Sequence, residues 1–383
     1  MKVGIDAISF YTSPYYLDLK ELAKVRNVDY DKYAIGIGQE KMAVAAPNED
    51  VVTLAAHAAE RLRTQVDFSQ IDFLIFATET GIDQSKAAGI YVHHLLGLSS
   101  HCRVLECKQA CYSTTGALQL ALSRLKEFPD SKILLVASDI ARYPLESPAE
   151  PTQGCGAVAM ILSTNPRVMS IDRESGYFTQ DVMDFWRPNH MREALVDGHQ
   201  STKIYLTLLE KTWDQYSEAS GRNFLDHDHY CFHLPFSRMA DKAHVRLAKS
   251  CGVLEPSGGH IEKTKVYARD MGNAYTASLY ISLLSLLNLT QKDLQGKRVG
   301  FYSYGSGSVA EFFSGVIEKG YRDASFAQEH ETMLKKREAI SYETYEMYRG
   351  FDPYNEEMTA PTDSYFQFVG IEKEKRLYRK EHN

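Results

Sequence analysis

The 383-residue sequence has no apolar run long enough to cross a bilayer, for which about 20 residues are needed. The longest run, YTASLYISLLSLLNL at residues 275–289, is interrupted by Ser and Thr and reads as a buried helix. The N-terminus, MKVGIDAISFY, opens on a strand pattern without the apolar core of a signal peptide, so a cytoplasmic location is expected. Excess positive charge is lacking too: 43 Lys and Arg stand against 50 Asp and Glu, a formal net charge of -7. Nucleic acid is therefore not the expected partner, although a local basic patch can still serve an anionic ligand. Cysteine is sparse, six in all, which argues against a disulfide scaffold. Cys102, Cys107 and Cys111 straddle a strand and a helix start without a CxxC pair. HExxH is absent as well, so no metal site is expected. P-loop, GxSxG and kinase signatures do not occur.

What is present is alternation. DVVTLAAHAAERLRT reads as an amphipathic helix, IDFLIFATE as a buried strand ending at Glu79, and QSKAAGIYVHHLLGL as a second helix. A short strand over residues 103–107, a helix after Cys111, and the strands KILLVASD and GAVAMILS follow. This order implies α/β layers. The second half repeats the plan: HYCFHLPF, a helix with Ala243 and Leu247, a helix placing Asn273 at its start, then RVGFYSY. The chain thus divides into a first half, residues 1–165, and a second half, residues 166–383. The second half ends in a charged, Tyr-rich tail that reads as surface helices.

Three residues sit where such a fold concentrates chemistry. Cys111 precedes a helix, whose unpaired N–H groups favour a thiolate and can hold an oxyanion. Glu79 lies at the C-terminal end of a buried strand, where open α/β sheets bind ligands and a carboxyl can act as acid or base. His233 ends an apolar strand, and Pro235 after it favours a sharp exit that would expose the ring. Of the other histidines, His93, His94, His101, His190 and those of HDH near residue 227 read as surface or packing residues. YGSGSVA imitates a dinucleotide fingerprint, but no strand with an acidic ribose partner follows. A tight glycine turn aiming N–H groups at a thioester is the preferred reading. Arg238, Lys242 and Arg246 fall four apart on one helical face and could clamp a phosphorylated tail.

With these residues in place the chain resembles the 3-hydroxy-3-methylglutaryl-coenzyme A synthases, in particular the bacterial mevalonate-pathway type. The resemblance rests on GIDAISFYTSPYY, IGIGQEKMAV, the TET around Glu79, KQACYSTTGALQLA, EPTQGCGAVAM, DFWRP, LVDG, FHLPF, GNAYTASLY and YSYGSGSVAEFF. It implies a thiolase-like α/β fold, five layers (αβαβα) built from two similar halves, as a homodimer. It also implies an acyltransferase whose substrates are acetyl-CoA and acetoacetyl-CoA, with no metal and no further cofactor. By resemblance Cys111 carries the acetyl group as a thioester, and Glu79 removes a methyl proton so that the carbanion equivalent attacks the acceptor ketone. His233 polarises the acceptor, and hydrolysis releases the product. Tyr143, Thr152, Asn273 and Ser306 match positions lining the site, with Arg238 and Lys242 toward the CoA tail.

Some segments depart from the family pattern. PLESPAEPTQ places Pro144, Pro148 and Ala149 where a glycine pair is usual. FSRMADKA carries Arg238 and Asp241 in place of lysines, and RPNHMREALVDG lacks the usual RPTG opening. Two alternatives stay open: a polyketide β-branching relative acting on carrier-protein-bound acyl groups, and a non-catalytic acyl-CoA-binding relative. A Rossmann oxidoreductase ranks last.

Overall fold

A computed structural model of the chain describes residues 1–356 and 364–381. Its frame is a nine-stranded sheet, here numbered in chain order. The first five strands are β1 (Val3–Tyr11), β2 (Ile71–Ala77), β3 (Arg103–Cys107), β4 (Lys132–Ile140) and β5 (Cys155–Thr164). The remaining four are β6 (Met169–Thr179), β7 (His229–Phe232), β8 (Arg298–Gly305) and β9 (Val309–Ile317). The spatial order is β7-β8-β9-β6-β1-β5-β4-β2-β3.

The repeat expected from the sequence is visible in this order. In the first half β3, β2 and β4 run parallel, and β5 and β1 then add antiparallel. In the second half β7 and β8 run parallel, and β9 and β6 add antiparallel. The two arrays match strand for strand, except that the second has no counterpart of β3 among the described residues. They join only where β1 meets β6, Gly4 opposite Ser170 and Ile5 opposite Met169. A Cβ on Gly4 would lie 2.1 Å from the Met169 carbonyl oxygen, so a glycine is required at this junction.

Side-chain alternation sorts the helices into layers. Val299 and Phe301 of β8 enter one core, while Tyr302 and Tyr304 enter another; Cys231 and Phe232 of β7 divide the same way. That is the period of two of a strand buried on both faces. Helices α1 (Val51–Glu60) and α2 (Ala88–Leu96) cover the outside of the first half. Between the halves lies α3 (Ser113–Glu127). Helices α4 (Gly198–Ser220) and α5 (Arg238–Ser250) cover the second half, packing on Tyr230, Phe232, Tyr302 and Phe312. A short α6 (Val266–Met271) leads to α7 (Ser278–Leu289), in which every residue from Ser278 to Leu287 is buried. A helix apolar on all sides belongs in an interior layer, and α7 meets α3 there, with Thr115 Oγ1 3.0 Å from the Tyr280 hydroxyl. The result is the five-layered thiolase-like arrangement.

The tail departs from expectation. It begins with surface helices, Ala327–Lys335 and α8 (Tyr342–Gly350), but ends in an antiparallel hairpin, Phe366–Glu372 with Lys375–Lys380. Burial alternates residue by residue along KRLYRK, the period of a strand. Phe366 and Phe368 are buried, and Arg376 and Tyr378 both bond Asp50 Oδ2, at 2.8 and 2.6 Å. Asp50 is the N-cap of α1, so the hairpin closes over that helix start. Residues 357–363, 382 and 383, which the sequence reading includes in the tail, lie outside the described residues. No helix of the described residues is long and apolar enough to cross a membrane.

Candidate active site

Strand β2 ends at Ala77, and the turn Thr78-Glu79-Thr80 is fixed by one carboxylate, Asp139 near the end of neighbouring β4. Its Oδ1 accepts from the Thr78 hydroxyl (2.8 Å), the Glu79 N–H (3.0 Å), and the Thr80 N–H and hydroxyl (2.9 and 2.7 Å). Its Oδ2 accepts from the N–H and hydroxyl of Thr276 in the second half. The N–H groups of Glu79, Thr80 and Thr276, with the Thr80 and Thr276 hydroxyls, favour the ionised carboxylate, against burial, which raises the pKa of Asp139. Arg187 donates to the Glu79 carbonyl from the other side.

The held turn presents the Glu79 carboxyl to Cys111, whose thiol donates to Oε1 at 3.0 Å. Burial, with the negative charge of Asp139 behind it, pushes Glu79 up to about 8. Burial and the adjacent Glu79 push the Cys111 thiol well above its ordinary value. This corrects the expectation of a thiolate stabilised by a helix start. Helix α3 begins at Ser113, two residues on, and desolvation beside a carboxylate outweighs its dipole. At rest Cys111 is a neutral thiol in contact with the Glu79 carboxyl. Ala110 reaches it through a left-handed backbone, φ 44°, which costs strain for a residue with a Cβ.

Tyr143, buried near the start of the loop after β4, shares side-chain hydrogen bonds with Tyr275 and Asn273, and its pKa is raised by burial and by the nearby Cys111 and Glu79. Phe185 closes the group, its ring 6.1 Å from Tyr143 and 5.7 Å from Tyr275. Asn273 does not start a helix as expected. It lies in the bend between α6 and α7, where its Oδ1 accepts from the Tyr275 N–H (2.8 Å) and the Ser278 hydroxyl (2.9 Å). The Asn273 N–H donates to the Thr152 carbonyl at 2.9 Å. Thr152 turns its hydroxyl back to Ala149 O at 2.7 Å, so its carbonyl makes the link. The two chains approach closely here: a Cβ on Gly272, at φ 79°, would lie 1.8 Å from Gln153 O.

The glycine turn packs directly on the Cys111 segment. Ser306 O accepts from Gln109 Nε2 at 3.2 Å, and a Cβ on Gly305 would lie 2.6 Å from Gln109 O. Gly307 does not aim its N–H at the thiol as expected, because it donates to buried Asp184 Oδ1 at 2.9 Å. The other expected oxyanion donor, the Cys111 N–H, faces its own sulfur.

Cys111, Glu79, Tyr143, Thr152, Asn273 and Ser306 are thus brought together. His233 makes no hydrogen bond to Glu79 or Cys111 among the described contacts. It follows β7 directly, its N–H bonded to Tyr302 O (2.8 Å) and its carbonyl to the Tyr205 hydroxyl (2.9 Å). Contrary to the expected exposure after the Pro235 exit, the ring is only 3% exposed. Burial lowers its pKa to about 3, and Nδ1 is buried without a partner. It is a neutral imidazole with an unspent polar atom.

The basic face of α5 does not act as one unit. Arg246 is held by Glu210 at 2.8 Å, and Arg238 faces Asp241 at 3.7 Å. Asp241 also binds Lys265, and Lys242 lies over the Phe236 ring at 5.2 Å. Among the described residues no group of three or more His, Cys, Asp or Glu is gathered in a way that could hold a metal ion. Sequence reasoning missed Asp139 and Arg187. An Asp beside the end of an otherwise apolar strand was the available signal for the first, and DFWRP carried the second without showing its target.

Similarity to known proteins shows the family. Models for the N-terminal and C-terminal portions of hydroxymethylglutaryl-coenzyme A synthase match residues 1–167 and residues 169–257 and 256–348. A hydroxymethylglutaryl-CoA synthase of Enterococcus faecalis is 43% identical over 350 residues, 90% of this chain and 91% of that one. A polyketide-biosynthesis 3-hydroxy-3-methylglutaryl-ACP synthase of Bacillus subtilis is 34% identical, covering 91% of this chain and 88% of that one. The crystal structure of an HMG-CoA synthase complexed with CoA superposes with a TM-score of 0.95 at 37% identity, covering both chains fully.

Proposed function

Because the chain belongs to the hydroxymethylglutaryl-coenzyme A synthase family, we propose that it condenses acetyl-CoA with acetoacetyl-CoA to 3-hydroxy-3-methylglutaryl-CoA in the mevalonate pathway. It is an acyltransferase of the carbon–carbon bond-forming kind. The observation that carries the residue roles is the 3.0 Å hydrogen bond from the Cys111 thiol to Glu79. Glu79 takes the thiol proton as Cys111 Sγ attacks the acetyl carbonyl, and the departing CoA sulfur takes that proton back. The acetyl thioester then stands beside a free carboxylate. Glu79 removes a methyl proton, the resulting carbon bonds to C3 of acetoacetyl-CoA, and the proton passes to the C3 oxygen as a hydroxyl. Water then cleaves the Cys111 thioester, giving the carboxylic acid and regenerating the thiol.

Covalent capture divides one difficult step into easier ones. A carboxyl near 8 suits proton traffic in both directions near neutral pH. His233 binds the acceptor: a neutral ring with an unpartnered nitrogen can hydrogen-bond a thioester group without presenting a charge. Arg238 and Lys242 serve the CoA end, Lys242 having no carboxylate partner in the described contacts. No metal or redox cofactor enters this scheme. The stronger likeness to an enzyme named for CoA, 43% against 34%, favours CoA-bound over carrier-bound substrates.

The protein works as a homodimer in the cytoplasm. Support for pairing comes from β3, a sheet-edge strand with Leu105 48% exposed, next to α3 with Leu120 62% exposed.

Intact-protein mass spectrometry after incubation with acetyl-CoA tests the reading. Wild type should gain one acetyl group and Cys111→Ala none. Acetyl transfer from a carrier protein but not from CoA would establish the polyketide-type reading instead.

A further inference from the structure

The loop over residues 141–153, which carries Tyr143 and Thr152 into the site, is held from behind by the C-terminal helix α8. Arg349 Nη2 donates to the Tyr143 carbonyl at 2.5 Å and to Glu193 Oε1 at 3.1 Å. The Tyr143 N–H donates to Gln153 Oε1 at 2.8 Å, and Gln153 Nε2 donates to the Tyr345 hydroxyl at 2.8 Å. Tyr345 in turn donates to Glu150 Oε1 at 3.2 Å, a buried carboxylate that Arg26 grips with two bonds of 2.8 Å. Arg142, beside Tyr143, closes the circuit by donating to Arg349 O at 2.8 Å. Both backbone polar groups of Tyr143 are therefore set by α8, one directly and one through Gln153.

We propose that Arg349 and Tyr345 are positioning residues for the condensation, holding the Tyr143 ring in register with Asn273 and the acetylated Cys111. Position matters because a bidentate-capable arginine buried to 12% exposure fixes a carbonyl more rigidly than water does. Displacement of a site group by about 1 Å costs up to 10²-fold in rate. The inference rests on the condensation reading above.

The test is a double-mutant cycle on the full-length protein with acetyl-CoA and acetoacetyl-CoA. Arg349→Met and Tyr143→Phe should each lower kcat about tenfold, with a smaller change in KM. The double variant should fall no further than the worse single one, because both act through the same ring. Arg349→Lys should recover part of the loss. If Arg349→Met does not fold, Tyr345→Phe, which removes one hydroxyl, takes its place in the cycle. Losses that multiply in the double variant would overturn the inference, as would a fall in kcat matched by the fraction unfolded. A wild-type protein with no turnover on these substrates would instead overturn the condensation reading.

Discussion

Replacing Glu79 by Gln should split the reaction at its middle. The substitution keeps shape but removes the carboxylate that accepts the thiol's hydrogen bond. For acetylation two effects oppose. The base is lost, yet so is a negative charge against the sulfur, which at 3.0 Å and an effective dielectric near 20 is worth roughly 5.5 kcal/mol at most. The thiol therefore ionises more easily without Glu79, and acetylation should slow by less than about tenfold. Condensation has no such compensation, and a lost general base costs about 10² to 10⁴. Rapid-quench mass spectrometry should show the variant accumulating close to one acetyl group per chain, with product formation down about 10³. In wild type the condensation rate should rise about tenfold per pH unit below about 8 and level above it. Once acetylated, Cys111 no longer donates to Glu79, and that bond is one of the influences lowering its pKa, so the break should move upward, not downward. Condensation at the wild-type rate, or acetylation lost as completely as in Cys111→Ala, would refute the role given to Glu79.

His233→Asn should raise KM for acetoacetyl-CoA about tenfold, the worth of roughly one hydrogen bond; steady-state kinetics with varied acceptor would show it, and an unchanged KM would remove His233 from acceptor binding. The C-terminal hairpin should loosen in acid. His57 accepts the Phe366 N–H at Nε2, and burial lowers its pKa from 6.5 to about 4. A folded-state pKa below the unfolded value means that stability is intact above pH 6.5 and is lost as pH falls toward 4. Limited proteolysis should cut at the hairpin progressively over that window, and His57→Gln should flatten the dependence.

Legibility in the sequence followed the range of the interactions involved. The strand ends that carry Glu79 and Cys111 could be read because apolar runs and the following helical period mark them locally. The duplicated plan could be read for the same reason, and the strand order repeats it. What could not be read depends on contacts distant along the chain. The neutral state of Cys111 follows from burial and from a carboxyl 32 residues away, and Asp139 gathers donors from Thr78 to Thr276. The buried ring of His233 reflects the aromatic layer under α4 and α5, which no local cue at Pro235 reveals. Arg349 acts across 206 positions on Tyr143.

The missing counterpart of β3 also bears on assembly. Among the described residues the first half ends the sheet at β3, where Leu105 is exposed. On the second half the sheet ends at β7, four residues long and buried from Tyr230 to Phe232. Two chains meeting rim to rim about a twofold axis would consume both free rims and leave none for a third. Had the duplication been complete, every chain would carry two such rims, and the same pairing could propagate into a fibre. In the proposed dimer the imperfect repeat would thus end growth at two subunits.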